Sequence, residues 1–406
     1  MRSEPDTTEI QGHCAPAFQS VREAFSRNFA EHGERGAAVT VRHRGDLVVD
    51  LWAGSADGAG RRPWTRDTLA VVFSTTKGLA ALCLHILTDR GQIDFEAPVA
   101  RYWPEFGANG KGDVTVAMVL SHQAGLPVWQ SPLPDGALYN WDLAARRLAD
   151  EAPLWEPGTA HGYHGLTIGW LEGELVRRVT GRTIGAFFHE EVAGPLGADA
   201  WIGLPETEHH RVAEMELPAP DPASDFFRKI TDEPDWYGAK LVTNDGGDLA
   251  GVNRPRRWSM EHPSAGGVAN ARALAQVYAP LSLDGAHGGV RLVGADRLVG
   301  MRTVRSASSR DLILQLPTTF TLGFSKTWGA RSLGPGNYVI LGEQAFGTPG
   351  FGGSLGFADG EAGLAFGYVM NRMGGGVGLN ARGQGLVDAA YRAVGYRSSE
   401  PGFWVR

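Results

Sequence analysis

Ser74 and Lys77 are the residues whose types and spacing most directly indicate chemistry, because they form the one S-x-x-K sequence of the chain. Residues three apart lie on the same face of a helix. A serine hydroxyl becomes a good nucleophile when a neighbouring base takes its proton, and a lysine that is partly removed from water can be neutral enough to do so. The pair therefore predicts a serine nucleophile with a basic lysine. A capped core helix is the alternative that this motif alone leaves open.

The residues after Lys77 predict the helix that would position the pair. Apolar side chains continue almost without interruption to Leu87, which indicates a buried helix, and the turn residues Asp89-Arg90-Gly91 predict its end. Free N–H groups at the start of a helix favour negative charge that develops nearby. Ser74 is thus expected where an oxyanion would be stabilised.

Length and composition favour two interleaved lobes over two separate domains. The chain has 406 residues, 43% of them apolar, and no long low-complexity linker. The net charge of −7 comes with no basic run, so neither nucleic acid nor a membrane is predicted as a partner. Cys14 and Cys83 provide no disulfide framework and no zinc motif, and the histidines lack metal-ligand spacing. We expect no cofactor and no metal.

The N-terminal sequence bears on the location of the protein. Residues Met1 to Asp6 are acidic and polar, and they lead into an amphipathic helical pattern between Phe18 and Phe29 instead of an unbroken apolar stretch. This pattern predicts a cytoplasmic protein.

Strand and helix patterns along the chain predict an α/β fold. Two strand-like runs at 38–43 and 47–52 are joined by Arg44-Gly45-Asp46, which predicts a hairpin. The chain then becomes helical and rich in loops. The later predicted elements are helices around 142–150, 167–180 and 183–193, strands at 320–324, 338–341 and 364–370, and a last helix over roughly 378–394.

This order of elements predicts an antiparallel sheet flanked by helices, with an inserted lobe that is mainly helical. Residues 1–73 and 265–406 would form the α/β lobe, which both ends of the chain complete. Residues 74–264 would form the helical lobe, starting at the nucleophile helix. The cleft between the lobes is the expected place of the active site.

Several motifs in fixed order resemble the serine β-lactamase-like family, which includes class C β-lactamases, DD-peptidases and family VIII carboxylesterases. An ordered series of this kind is more specific than any single motif, and it covers nearly the whole chain. Besides Ser74 to Lys77, the series comprises 99–106, Leu120-Ser121-His122-Gln123-Ala124-Gly125-Leu126-Pro127, Trp155-Glu156-Pro157-Gly158 leading to Tyr163-His164-Gly165, 351–359 and 368–373.

The resemblance implies that Tyr163 is the second catalytic element. In that fold such a phenol lies beside the lysine, so that either Lys77 or Tyr163 could accept the serine proton and later protonate the leaving group. Gly165 stands where β-lactamases often have asparagine, which removes an amide that would contact a β-lactam and favours the esterase branch.

The third family element matches Thr348-Pro349-Gly350, where β-lactamases have Lys-Thr-Gly and esterases often His-x-Gly. The missing cation puts recognition of a substrate carboxylate in doubt. Gly350 keeps a close backbone approach, and the N–H groups of Ser74 and Phe351 are expected to form the oxyanion hole. Thr348 and Gly350 are accordingly expected to contact the substrate.

The loop that ends at Trp129 and Gln130 is expected to reach the cleft, so both residues are candidates for substrate binding. His164 could line the cleft or serve as a structural donor, and His122 is interpreted as structural. Ser354 lies in a G-x-S-x-G sequence, but no histidine follows it as an α/β-hydrolase would require, so it is interpreted as a turn residue.

The sequence therefore predicts a serine hydrolase that cleaves small carboxylic esters through an acyl group on Ser74, with a small ester or acyl compound as its binding partner. Three alternatives remain. They are an acyltransferase that passes the acyl group to a small alcohol or amine, a β-lactamase or D-amino-acid peptidase or amidase, and a binding protein without activity. The sequence predicts no oligomeric state.

Overall fold

The computed structural model describes residues 8–219, 221–244, 249–399 and 402–406. The acidic stretch from Met1 to Asp6 lies outside the described residues, so the cytoplasmic location stays a prediction. The strands are β1 (Gln11–Cys14), β2 (Gly36–His43), β3 (Asp46–Gly54), β4 (Ala70–Val71), β5 (Ala200–Ile202), β6 (Gly267–Ala269), β7 (Ala286–His287), β8 (Val290–Arg291), β9 (Ser306–Ser308), β10 (Thr318–Phe320), β11 (Phe346–Pro349), β12 (Leu355–Asp359), β13 (Leu364–Met370), β14 (Arg397–Ser398) and β15 (Trp404–Val405).

Helices follow the nucleophile motif, as the sequence predicts, and also flank the sheet. The α-helices are α1 (Gln19–Glu31), α2 (Thr75–Asp89), α3 (Val116–Leu120), α4 (Trp141–Asp150), α5 (Thr167–Thr180), α6 (Ile184–Phe188), α7 (Gly194–Leu196), α8 (Asp225–Asp232), α9 (Lys240–Thr243), α10 (Pro255–Ser259), α11 (Ala271–Tyr278), α12 (Ala295–Arg302) and α13 (Ala381–Ala393). Within the described ranges, no helix has the length and apolar character needed to cross a bilayer.

A six-stranded antiparallel sheet in the order β1-β3-β2-β13-β12-β11 forms the centre of the fold. Its first three strands come from the start of the chain and the other three from its end. The predicted hairpin of β2 and β3 and the predicted strand β13 are confirmed. The long pairing of β2 with β13, which joins the two chain ends, runs from Ala37 opposite Met370 to His43 opposite Leu364.

Helices cover both faces of this sheet. α1 and α13 pack together on one face, and α11 lies on the opposite face. Every residue of β13 is buried, which explains why its sequence is a continuous apolar run without polar alternation. A Cβ atom at Gly367 would lie 2.1 Å from the Ala271 carbonyl oxygen, so α11 can approach the strand this closely only because the residue lacks a side chain.

Two predicted strands are wrong. The strand expected at 320–324 ends at Phe320, because Gly323 has a φ of +87° and the chain turns back to pair Ser325 with Phe320. The run 338–341 forms no strand. The backbone N–H and carbonyl of Ile340 bond instead to the Gln384 side chain on α13, at 3.0 and 2.9 Å. Val339 forms only an isolated antiparallel bridge with Trp328, so the run does not extend into a strand.

Candidate active site

The Ser74 hydroxyl is not used as a helix cap and is free to react. Ser74 occupies the N-cap of α2, but its side chain makes no capping hydrogen bond. The preceding residue, Phe73, has a φ of +45°, which is rare for a bulky side chain. Packing holds this conformation, because the Phe73 ring is 5% exposed and lies edge-on to the Phe351 ring at 6.0 Å. Strained backbone of this kind is common at functional sites.

Lys77 directs its amine at the Ser74 hydroxyl. The Lys77 Nζ lies 3.1 Å from Ser74 Oγ, 2.6 Å from the Gly165 carbonyl oxygen and 2.9 Å from the Ser264 carbonyl oxygen. A neutral amine has two N–H groups and one lone pair. The two carbonyl oxygens can accept only from N–H groups, so in the neutral form the lone pair is left for the Ser74 O–H.

The protonation state of Lys77 fits this geometry. Its side chain is buried, and this burial lowers the pKa of Lys77 to about 7, against the opposing effect of the Glu172 carboxylate. Near neutral pH a substantial share of the amine is therefore unprotonated. The arrangement can remove a proton from Ser74 without any other base.

Tyr163 lies near the same hydroxyl. Its ring centre is 4.8 Å from Lys77 Nζ, and Tyr163 and Ser74 border the same cavity. Burial raises the pKa of Tyr163 above its ordinary value, and the Ser74 side chain only partly offsets this. A phenol that keeps its proton is a donor. Of the two assignments that the sequence left open, the structure thus favours Lys77 as the base and Tyr163 as the group that protonates the leaving oxygen.

Asp311 holds the backbone of Tyr163, and sequence reasoning missed this residue. Its carboxylate is buried and accepts a hydrogen bond from the Tyr163 N–H at 3.0 Å. The same oxygen accepts from the N–H groups of Ile313 and Leu314, an Asx-type turn, and the other oxygen accepts from the Thr318 hydroxyl. The turn itself is readable in the sequence. Its contact with Tyr163, 148 residues away, is not.

His164 is buried and does not reach the cavity. Its Nε2 accepts from the Leu126 N–H at 3.1 Å, and its Nδ1 donates to the Gly162 carbonyl at 2.7 Å. Its backbone N–H donates to His122 Nδ1. Burial lowers the pKa of His164 to about 3, so the ring is neutral at physiological pH. The structural interpretation of both histidines therefore fits, and the predicted contact of His164 with substrate does not.

An apolar cavity of about 160 Å³ opens beside Ser74. None of the described residues that line it carries a charge. Thr348 and Tyr163 belong to its wall, as predicted for a cleft-lining position. The remaining wall is mostly aromatic and aliphatic, and its principal members are Phe73, Leu166, Phe226, Phe227, Leu241, Phe320, Leu314, Trp328, Phe351 and Val377.

Trp129 and Gln130 do not line this cavity. Trp129 is 2% exposed and packs against the Trp170 ring. Their backbone carbonyls instead accept hydrogen bonds from the segment 221–244, which we call the cover segment. Asn244 Nδ2 donates to the Trp129 carbonyl and Lys240 Nζ to that of Gln130, both at 2.7 Å. The loop therefore holds the cover segment, which contributes to the cavity wall. Neither the Trp129 nor the Gln130 side chain is placed to contact a substrate in this cavity.

The end of β11 approaches the nucleophile closely at Gly350. A Cβ atom there would lie 2.1 Å from Ser354 Oγ and 2.3 Å from the Val72 carbonyl oxygen. Ser354 Oγ donates to that carbonyl at 2.8 Å, so this serine ties the β11–β12 turn to the residues before Ser74. It is a structural residue, as interpreted from the sequence. Gly350 does not line the cavity, so the predicted contact of this residue with substrate is not seen. Its lack of a side chain lets the β11–β12 turn lie against Val72.

Two backbone N–H groups face the same cavity. Neither the Ser74 N–H nor the Phe351 N–H donates a hydrogen bond to any of the residues described by the structure. Both residues line the cavity. Unpaired N–H groups near the Ser74 hydroxyl can donate hydrogen bonds to an oxyanion that develops there. In the described part of the chain, no group of three or more His, Cys, Asp or Glu side chains is arranged to hold a metal ion.

The chain is similar to several known proteins in sequence and in fold. A family model described as Beta-lactamase matches residues 21–390. The Esterase/beta-lactamase LipL of Mycobacterium tuberculosis is 37% identical over 370 residues, which are 90% of this chain and 83% of that protein. The solved structure of a family VIII carboxylesterase shares 41% identity at a TM-score of 0.84, over 95% of this chain and 100% of the other. A penicillin-binding protein homolog from Caulobacter crescentus shares 37% identity at a TM-score of 0.83, with coverage of 95% and 100%.

Proposed function

The chain belongs to the beta-lactamase family, and from that premise we propose that it is a serine esterase that cleaves small neutral carboxylic esters through an acyl group on Ser74. The observation that carries this proposal is the contact of Ser74 Oγ with Lys77 Nζ at 3.1 Å, at the wall of a cavity without charged side chains. Relatives named as esterases support ester hydrolysis as the reaction.

The first half of the proposed reaction forms the acyl-enzyme. Lys77 takes the proton of the Ser74 hydroxyl while its oxygen attacks the ester carbonyl carbon. The carbonyl oxygen gains negative charge and is held by the N–H groups of Ser74 and Phe351. The bond to the alcohol oxygen then breaks. Tyr163 protonates the departing alkoxide and regains a proton from the Lys77 ammonium.

The second half releases the acid. A water molecule attacks the acyl carbon and gives a proton to the Lys77 amine, and the Ser74 oxygen leaves with the proton returned through Tyr163. The acyl group thus passes to water as a carboxylic acid, and the site is restored. An alcohol that enters in place of water would accept the acyl group by the same proton transfers, which is the acyltransferase alternative.

The lining of the cavity supports neutral substrates. Thr348 occupies the position where a β-lactamase lysine would attract a substrate carboxylate, and a hydroxyl attracts an anion far less than an ammonium does. β-Lactams and D-amino-acid peptides carry that carboxylate. We therefore place β-lactam cleavage below ester hydrolysis, although the relative LipL is named for both.

The nucleophile assignment is tested with two serine variants and a fluorescent organophosphonate. We expect Ser74→Ala to abolish ester turnover and covalent labelling, because it removes the attacking oxygen. Ser354→Ala should keep both, with a lower melting temperature, because it loses the hydrogen bonds of its hydroxyl with the Val72 carbonyl and the Thr75 hydroxyl. Labelling that persists in Ser74→Ala and disappears in Ser354→Ala would reverse the assignment.

The substrate class is tested with a panel assayed on one enzyme preparation. We expect kcat/KM for p-nitrophenyl butyrate to exceed that for a chromogenic cephalosporin at least a hundredfold, about 2.7 kcal/mol in transition-state binding. Repeating the ester assay with added short alcohols separates hydrolysis from acyl transfer by the products formed. Equal rates on the ester and the cephalosporin would contradict the esterase proposal.

A further inference from the structure

Leu241 on the cover segment occupies the space that a side chain at position 165 would need. A Cβ atom built on Gly165 would lie 2.4 Å from Leu241 Cδ1, 2.9 Å from Cδ2 and 3.2 Å from Cγ. Gly165 has no positive φ, so its backbone conformation would tolerate a side chain. A side chain at position 165 would therefore have to displace the Leu241 side chain, whereas the local backbone would not oppose it.

Gly165 cannot move away from Leu241 without disturbing the catalytic amine. Its carbonyl oxygen accepts from Lys77 Nζ at 2.6 Å, a shorter contact than that between Lys77 and Ser74. The preceding residue, His164, is held by hydrogen bonds on both of its ring nitrogens. The wall of the site at Gly165 is thus fixed in place next to the base.

Leu241 is fixed from the other side. Its neighbour Lys240 donates to the Gln130 carbonyl, and Asn244, one helical turn later, donates to the Trp129 carbonyl. These two bonds hold α9 against the body of the protein. Both Leu241 and Gly165 line the cavity with Ser74, so the leucine side chain faces the space where a substrate would lie.

We propose that Leu241 is a specificity-determining residue, which takes the place of a side chain at position 165 and limits the size of the substrate group beside Lys77. This inference rests on the proposed ester hydrolysis and adds which residue sets its size limit. The limit comes from a residue of the cover segment that lies 76 positions away in sequence, so substitutions at 165 and 241 must act together.

The test measures kcat/KM for the wild type, Leu241→Ala, Gly165→Ala and the double variant. Two series of esters are used, one with increasingly branched acyl groups on p-nitrophenol and one with increasingly bulky phenols esterified to acetate. We expect Leu241→Ala to raise the ratio of bulky to small substrate at least tenfold in one of the series, which also identifies the substrate half that faces Leu241.

Coupling between the two positions is the sharper readout. Gly165→Ala alone should lower kcat/KM at least tenfold, since its Cβ must displace either the Leu241 side chain that lines the cavity or the carbonyl that accepts from Lys77. In the Leu241→Ala background the same substitution should cost less than threefold. If Gly165→Ala does not fold, the substrate ratios of Leu241→Ala decide by themselves.

Leu217→Ala is the matched control, because this leucine is 44% exposed and does not line the cavity. It should leave all substrate ratios unchanged. Ratios in Leu241→Ala within twofold of the wild type would overturn the inference while wild-type ester turnover leaves the proposed function intact. A wild type that hydrolyses no ester would instead refute the proposed function.

Discussion

At the scale of single residues, the chemistry depends on removing Lys77 from water while leaving its lone pair directed at Ser74. Burial disfavours the ammonium, and the carbonyls of Gly165 and Ser264 orient the amine that remains. Burial acts on Tyr163 in the opposite sense, since the form of a phenol that it disfavours is the deprotonated one. In the proposed reaction, one physical effect therefore makes Lys77 a base and Tyr163 a proton donor near the same hydroxyl.

The pH dependence of the reaction follows from Lys77. The active form of the base is the neutral amine, so kcat/KM should rise as pH increases through the Lys77 pKa of about 7 and then reach a plateau. Stopped assays with a neutral ester between pH 5 and 9 measure this limb. A profile without a rise near pH 7 would exclude Lys77 as the base.

Lys77 and Tyr163 should also act as one unit. Lys77→Ala and Tyr163→Phe are each expected to lower kcat about 10² or more, the scale for losing a positioned proton-transfer group. Because both serve the same proton path, the double variant should lose much less than the product of the single losses. Fully multiplicative losses would show that the two groups work independently.

Asp311 is expected to be a positioning residue for Tyr163. Asp311→Asn keeps an acceptor for the Tyr163 N–H but removes the negative charge that helps to raise the pKa of Tyr163. We expect kcat to fall about tenfold with KM nearly unchanged, because Tyr163 is then held less well beside Ser74, while the rise of the profile near pH 7 should stay. A lower melting temperature with unchanged kcat and KM would indicate a purely structural role.

At the scale of elements, the Asn253 side chain links the two stretches of chain that flank the cover segment. Asn253 accepts from the Met215 N–H at 2.8 Å and donates to the Met215 carbonyl at 2.9 Å, so it joins the chain before and after the segment. Phe226, Phe227 and Leu241 reach the cavity from this segment. The position of the cover segment relative to the rest of the protein therefore determines the shape of the cavity.

Asn253→Ala should loosen the cover segment without touching the nucleophile. Loss of both hydrogen bonds, each worth about 1 kcal/mol, is expected to speed amide hydrogen exchange in residues 221–244 and to raise KM several-fold. Organophosphonate labelling of Ser74 should persist. Unchanged exchange in this range would mean that the segment is held mainly by its other contacts.

At the scale of the whole molecule, a buried polar cluster joins the two chain ends that share the sheet. Arg382 on α13 donates to Glu34 at 2.7 Å, and the Tyr368 hydroxyl on β13 donates to the other carboxylate oxygen at 2.5 Å. Glu34 lies two residues before β2 and belongs to the opposite end of the chain from its partners. We propose that residues 1–73 and 265–406 act as one lobe, with 74–264 as the second.

Breaking this cluster should destabilise the fold at its chain-end junction. Arg382→Met leaves the Glu34 carboxylate buried without its cation, which costs about 3–5 kcal/mol when one partner of a buried pair is removed. Urea unfolding of the inactive Ser74→Ala background measures the loss. Adding Glu34→Leu should recover part of it, since no charge then stays buried. A change below about 1 kcal/mol in Arg382→Met would show that the pair does not stabilise the junction.

The sequence by itself determined the features that local pattern and motif order encode. Short-range spacing places Ser74 and Lys77 on one helix face, and a continuous apolar run specifies the buried α2. The candidate role of Tyr163 comes from the resemblance of the ordered motifs to a known family. These features can be read from the sequence because each depends on residues that are close together in it or that follow one another in a fixed order.

Tertiary structure alone decided which distant side chains surround those residues. Asp311, Leu241 and the carbonyl of Ser264 meet the site from separate parts of the chain, and no periodicity in the sequence connects them. The same reason explains the failures. Trp129 lies behind the cavity wall, and Ile340 bonds to a side chain on α13 instead of to a neighbouring strand. Burial and hydrogen-bond partners are set by packing between elements rather than by the apolar pattern within one.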